Sequence, residues 1–256
     1  MRLTKHGTKI MTLESEDDLE KLKACGRAVR ETIAAMGVAL EPGMTTAELD
    51  DLGRKHLESF GARSAPELSY DFPGATCISL NNIVAHGIPG DRVIEPGDMV
   101  NIDVSAELDG YFTDSGASFI VPPEKPEQRK VCDATKLALT KAIRTVKAGA
   151  RLNVIGRAIE EVARKRGLSI IENLASHGVG RSLHEDPGSI PSYYDRTDPR
   201  RLTEGLVITI EPFLSTGARE AEEGDDGWSL MTPPEFVTAQ YEHTMVVTRR
   251  GAMIIT

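Results

Sequence analysis

Cysteine is scarce in this 256-residue chain and badly placed for bonding. Its three copies, Cys25, Cys77 and Cys132, are odd in number, far apart and never spaced Cys-x-x-Cys. That excludes a disulfide framework and a thiolate zinc site, and it fits a reducing compartment. Cys25 and Cys132 fall within helical patterns and read as core residues. Long hydrophobic runs are missing too. No stretch approaches the roughly 20 apolar residues that span a bilayer, and Met1-Arg2-Leu3-Thr4-Lys5-His6 lacks the apolar segment of a signal peptide. A cytoplasmic protein without membrane association is expected. Basic charge is in deficit: 30 Lys and Arg against 39 Asp and Glu leave a net charge of -9. That is the wrong sign for a surface attracting nucleic acid at large, and no specific nucleic-acid partner is expected. Low-complexity segments are also absent. With 40% hydrophobic and 27% charged residues, the chain reads as globular and long enough for a sizeable core.

What is present follows one plan twice. Residues 16 to 36 place Leu19, Leu22, Val29, Ile33 and Met36 at helical spacings after a Ser15-x-x-Asp18 start that resembles a capping box. Thr46 opens a second helix carrying Leu49, Leu52, His56 and Phe60, with Gly61 as its stop. About a hundred residues on, Pro126 opens a helix carrying Val131, Leu139, Ile143 and Val146, which Gly149 breaks. Another runs from 153 to 166 and ends at Gly167. Its closing Arg164-Lys165-Arg166 reads as cations at a helix's negative pole, facing water. Gly43 corresponds to Gly149 and Gly61 to Gly167. Each pair leads to an apolar strand, Pro96 to Asp103 in one case and Glu204 to Glu211 in the other, so Asp103 falls opposite Glu211 at a constant offset. Such an internal duplication predicts an α+β fold: two helix pairs on one face of a mostly antiparallel sheet, with pseudo-twofold symmetry.

Strand alternation sends Val100, Ile102 and Val104 to one side and Asn101, Asp103 and Ser105 to the other. Likewise Leu206, Ile208 and Ile210 oppose Val207, Thr209 and Glu211. A strand over Phe236 to Val247 aligns Glu242 with Thr238, Gln240 and Thr244, and Asp114 closes a turn after Asp109-Gly110-Tyr111. Four acids thus project from sheet elements. One ionised carboxylate buried without a partner would protonate, and four together repel. No Lys or Arg lies in these segments, whereas two divalent ions balance four carboxylates. Oxygen-rich ligation with one imidazole suits Mn(II), Fe(II), Co(II) or Zn(II). His177, flanked by glycine in Ser176-His177-Gly178-Val179-Gly180-Arg181, is the imidazole candidate.

These residues match a known family. In Cys77-Ile78-Ser79-Leu80-Asn81, His86-Gly87-Ile88-Pro89, Asn101-Ile102-Asp103-Val104, Asp109-Gly110-Tyr111 through Asp114, His177 to Arg181, His184-Glu185, Thr209-Ile210-Glu211-Pro212 and Ala239-Gln240-Tyr241-Glu242-His243-Thr244, the chain resembles a type I methionine aminopeptidase of the pita-bread fold, peptidase family M24A, along nearly its whole length. The resemblance implies a curved sheet and a single catalytic domain over 1–256, its halves about 10–120 and 125–252. It implies two divalent ions (Co, Mn, Fe or Zn) on Asp103, Asp114, His177, Glu211 and Glu242, with Asp114 and Glu242 bridging. Their shared hydroxide attacks the first peptide bond and removes the initiator methionine from nascent proteins. Aminopeptidases are among the cases from which the two-metal rule was drawn, so that agreement is not independent. His184 lies near the scissile carbonyl oxygen and His86 near the scissile nitrogen, while Glu211 shuttles a proton to the leaving amine. Cys77, Phe72 and Trp228 match the walls of the methionine pocket. A monomer is expected, with only the transient ribosome contact its substrate implies.

Two departures bear on the pocket. Phe112-Thr113 stands before Asp114 where many type I enzymes have His-Gly, and Ser69 stands where a tyrosine is common, with Tyr70 beside it. The rival readings are a proline-specific or creatinase-like hydrolase on the same fold, a type II enzyme, and a non-enzymatic binding module. The first usually carries an additional amino-terminal domain, the second needs a helical insertion for which the interval from His177 to Glu211 is too short, and the third would have lost ligands that are intact here.

Overall fold

A computed structural model describes residues 13–256. The first half runs α1 (Glu16–Ala39), α2 (Thr46–Ser59), β1 (Arg63–Ser64), α3 (Ala65–Tyr70), β2 (Cys77–Leu80), β3 (Ile83–Ala85), β4 (Met99–Leu108) and β5 (Tyr111–Ile120). The second runs α4 (Pro126–Ile143), α5 (Val154–Arg166), β6 (Ser169–Ile170), β7 (Ala175–Gly178), β8 (Glu185–Pro191), β9 (Val207–Ile210), β10 (Phe213–Ser215), β11 (Glu222–Glu223), β12 (Leu230–Met231), β13 (Thr238–Gln240), β14 (His243–Thr248) and β15 (Gly251–Ile254).

The helices begin and end where local chemistry dictates. Ser15 and Asp18 form a reciprocal capping box at the start of α1, and Thr45 and Glu48 form another at α2. Gly167 closes α5 in the left-handed conformation and Gly61 lies just beyond α2 with φ 73°, a region costly for any residue with a Cβ. Each helix pair buries one half of the sheet. Cys25, Val29 and Met36 of α1 and Leu49 and Leu57 of α2 pack on Ile78, Val100, Ile102 and Val104. Val131 and Leu139 of α4 and Ile155 and Ile159 of α5 pack on Ile208, Ile210, Met245 and Val247. Removing one such side chain from water is worth about 1.5–3 kcal/mol, so the apolar alternation of β4 and β9 commits those faces to the helices. The opposite face is left to the acids.

Among the described residues every strand pairing is antiparallel, and β4 is the centre of the first half, paired with β1, β2 and β5. In the second, β15-β14-β9-β7-β8 form a five-stranded sheet. The halves meet through a bridge between Ala117 and Tyr241 and through β3, which pairs with β12.

Two expectations are corrected. Asp114 lies within β5, opposite Ser105, not in a turn: the hairpin turns earlier, and ten consecutive residue pairs keep β4 and β5 in register. The strand over Phe236 to Val247 is broken into β13 and β14, with Glu242 in the gap. There the chain changes partners, from β10 to β9, while the Glu242 N–H donates to the Gly116 carbonyl (2.9 Å) across the halves. Among the described residues no helix is long and apolar enough to cross a membrane.

Candidate metal centre

The polar face of β4 and β5 delivers the first two acids. Asp103 pairs with Gly116 and Asp114 with Ser105, so the two carboxyls are diagonal neighbours on one face. The other half delivers the rest. Glu211 follows the end of β9, its N–H bound to Ser176 Oγ (2.9 Å). Glu242 is held on both sides, its carbonyl accepting from Ser115 Oγ (2.6 Å) and its N–H bound to Gly116. The Asp114 N–H donates to Thr244 Oγ1 (2.9 Å), which returns a bond to the Asp114 carbonyl (2.7 Å). Ligand-bearing backbone from the two halves is thereby stitched together.

His177 enters from β7. Its Nδ1 lies 2.9 Å from the Gly178 carbonyl, which can only accept, so Nδ1 carries the proton and Nε2 presents a bare lone pair. That nitrogen sits 3.4 Å from Glu211 Oε1 and 3.8 Å from Asp114 Oδ2. Ligand atoms of Asp114, His177 and Glu242 all fall within 4.8 Å of one another. A lone pair aimed at carboxylates is repulsive unless a cation stands between them. Asp114 Oδ1 and Glu242 Oε1 are buried without a hydrogen-bond donor, the mark of oxygens shaped for an ion. The donor set fits divalent metal.

Electrostatics says the same. Burial raises the Asp103 carboxyl to about 6, with a hydrogen bond to Asp114 as the influence pulling it back. Asp114 is pushed well above the ordinary range by burial, then by the charges of Glu242 and Asp103. Glu211 rises through burial, then Asp114 and Asp103, and Glu242 through burial, then Glu211 and Asp103. His177 is held down to about 4, chiefly by burial. Burial and mutual repulsion favour protons on these acids, and bound cations favour their ionised forms.

Residues around the acids support them. Gln240 Nε2 donates to Glu242 Oε2 (3.0 Å), and its Oε1 accepts from Asn101 Nδ2 (2.8 Å). A Cβ on Gly116 would lie 2.3 Å from that amide, so only glycine leaves room for it. Thr209 Oγ1 accepts from the His177 N–H (3.1 Å) and donates to Glu211 Oε1 (3.2 Å). Strand alternation already placed Asn101, Thr209 and Gln240 on the acid face; the contact of Asn101 with Gln240 across the halves, and that of Thr209 with His177, had no signal in the sequence.

Of the remaining predicted residues, the histidines and Cys77 border the acids. His184 stacks on His177 with ring centroids 4.0 Å apart. His184 is exposed as a residue, yet desolvation of its ring, then His177 and His86, hold it below an ordinary imidazole. His86, lowered by desolvation, is near enough to influence both other imidazoles. Phe72 and Trp228 meet edge to face, centroids 5.2 Å apart at 83°. Trp228 is brought there by an Asp226 turn that accepts its N–H (2.9 Å), just before β12 pairs with β3. Cys77 lies opposite Asp103, buried, and its thiol is raised by desolvation and then by that carboxylate. It therefore borders the acids, while Phe72 and Trp228 form a separate aromatic corner.

The model of metallopeptidase family M24 matches residues 20–249. Methionine aminopeptidase 2 of Bacillus subtilis (strain 168) is 44% identical over 247 residues, covering 96% of this chain and 99% of that protein. The crystal structure of methionine aminopeptidase from Rickettsia prowazekii superposes with a TM-score of 0.91 at 35% identity, over 96% of this chain and 99% of that one. The prolidase from Pyrococcus furiosus, 22% identical with a TM-score of 0.76, covers 96% of this chain and 65% of that one, and shares the fold alone.

Proposed function

Because this chain belongs to metallopeptidase family M24, we propose that its acidic centre holds two divalent ions and that the protein removes methionine from the amino terminus of newly made chains. The observation that carries this reading is the set of buried acids, two with orphan oxygens, facing the bare Nε2 of His177. Asp103, Asp114, His177, Glu211 and Glu242 would hold the ions, drawn from Co(II), Mn(II), Fe(II) or Zn(II). His177 Nε2 and Glu211 Oε1, 3.4 Å apart, would hold one ion together. Bound metal supplies Lewis acidity at the scissile carbonyl and an activated water at neutral pH.

The chain's own groups do the rest. Glu211, beside the bare Nε2 of His177, carries a proton toward the leaving amine. Nε2 of His184 faces the carbonyl oxygen and stabilises the charge that develops there. His86 lies beside the scissile nitrogen. Phe72 and Trp228, with Cys77 nearer the acids, receive a flexible thioether, which aromatic and sulfur surfaces favour. Both halves contribute ligands, so residues 1–256 act as one catalytic domain. The protein works in the cytoplasm as a monomer, meeting the ribosome only transiently through its substrate.

The test is methionine release from Met-Ala-Ser and Met-Pro peptides, against Ala-Pro and acetylated controls, with each metal restored to stripped protein. Metal-dependent cleavage confined to free amino-terminal methionine is expected. Cleavage of Ala-Pro would establish a proline-directed enzyme instead, and inertness with every metal would leave a binding module.

A further inference from the structure

His184 is held by a residue outside every motif that carries the family resemblance. Tyr70 ends α3, and Asp71 after it adopts the left-handed conformation, φ 57°. That turn splits two neighbouring aromatic side chains. Phe72 is buried at 4% exposure against Trp228, while Tyr70, 44% exposed, reaches the segment after β7. Its hydroxyl lies 2.7 Å from Nδ1 of His184, with ring centroids 5.6 Å apart at 55°.

The other side of the imidazole rests on His177. Its backbone is fixed as well: Ser182 Oγ donates to the His184 carbonyl (2.9 Å), and the Arg181 N–H donates to the Glu185 carboxylate (3.1 Å). With Nδ1 engaged, Nε2 is the nitrogen left for a substrate. A neutral imidazole has one N–H, so the direction of the Tyr70 bond decides what Nε2 can do. If Nδ1 donated to the phenol oxygen, Nε2 would be bare and would repel a developing oxyanion. If the phenol donates, Nε2 carries the proton and can stabilise it. At about pH 8 an ordinary phenol keeps its proton and an ordinary imidazole is neutral, so the second arrangement needs no unusual ionisation.

We propose that Tyr70 is a positioning residue whose O–H donates to Nδ1 of His184, fixing the Nε2–H tautomer and aiming that N–H at the scissile carbonyl oxygen. The proposal rests on the role given to His184 above and extends it to a side chain that acts through that imidazole.

The experiment compares the Zn(II)-loaded full chain with its Tyr70→Phe variant by nitrogen-15 NMR of the histidine rings at about pH 8, where both groups keep the stated forms. His184 is assigned by His184→Gln. A bare Nδ1 and protonated Nε2 are expected in the parent. In Tyr70→Phe both signals should move toward the average of exchanging tautomers. Turnover of Met-Ala-Ser should fall about 10-fold in kcat, as befits a weakened oxyanion donor, with KM within about twofold. Melting temperature and bound metal should not change, which separates positioning from a structural loss. A protonated Nδ1 in the parent, or a variant with unchanged tautomer or unchanged kcat, overturns the proposal. The ring signals are read without turnover, so a protein that releases no methionine still reports the tautomer, and failure of the two readings stays distinguishable.

Discussion

Gln240 acts through an amide whose direction is decided in the other half of the molecule. Asn101 Nδ2 can only donate, so it selects the oxygen of the Gln240 amide and turns the nitrogen toward Glu242. Groups that orient ligands in this way are typically worth 10- to 100-fold in metal affinity. Gln240→Met keeps the length of the side chain and removes both bonds, so metal binding, measured by competition with a chelating dye, should weaken by about 10- to 100-fold. An unchanged dissociation constant would show that Glu242 needs no such support. At this scale the sequence was informative about chemistry and silent about aim. Asp103 and Glu211 could be picked out as equivalent acids because the internal repeat aligns them, and strand alternation, which is local, put each on a polar face. Which nitrogen of His177 was free could not, because the Gly178 carbonyl decides it through the bend of the backbone.

The elements show a second device, at the start of α1. Asp18 closes the capping box with Ser15 and also accepts a hydrogen bond from the Tyr111 hydroxyl, while Arg181 pairs with it at 3.2 Å. The Arg181 guanidinium lies 3.8 Å over the Tyr111 ring. One carboxylate thus ties α1, the β4–β5 hairpin and the segment between His177 and His184. The Tyr111 bond, then Ser15, lowers the Asp18 carboxyl from 3.8 to about 2. A group whose folded pKa is depressed contributes stability above its unfolded value and loses it as pH falls through the folded one. Asp18→Ala should therefore destabilise the protein at neutral pH, and the gap from the parent should narrow between about pH 4 and 2 in denaturant melts. A constant gap across that window would show that the charge of the Asp18 carboxylate contributes nothing to stability. The two helix pairs were legible in sequence because caps and apolar spacing act within a few residues. The single strand expected over Phe236 to Val247 was not, because its break at Glu242 comes from pairing with distant Gly116.

For the whole molecule, the balance between protons and metal is the property that neither half possesses alone. Raised carboxyls, Asp103 at about 6 among them, hold protons in the stripped protein, and a divalent ion must displace them. Metal uptake should release protons, and apparent affinity should fall on acidification through that range; calorimetry in two buffers of different ionisation enthalpy reads both. Uptake with no proton release would mean that the acids are already ionised without metal. Metal at about 100 times its dissociation constant should also stabilise the fold by about 2.7 kcal/mol.

The helix pairs, the two apolar sheet faces and the list of acids follow from the amino-acid order, because caps, periodicity and charge cost are written in neighbouring residues. Which oxygens lack donors, which way Gln240 and His177 point, and the meeting of Tyr70 with His184 arise from folding in three dimensions. Those contacts join residues more than a hundred positions apart or depend on angstrom-scale turns of the backbone, and no local pattern records either.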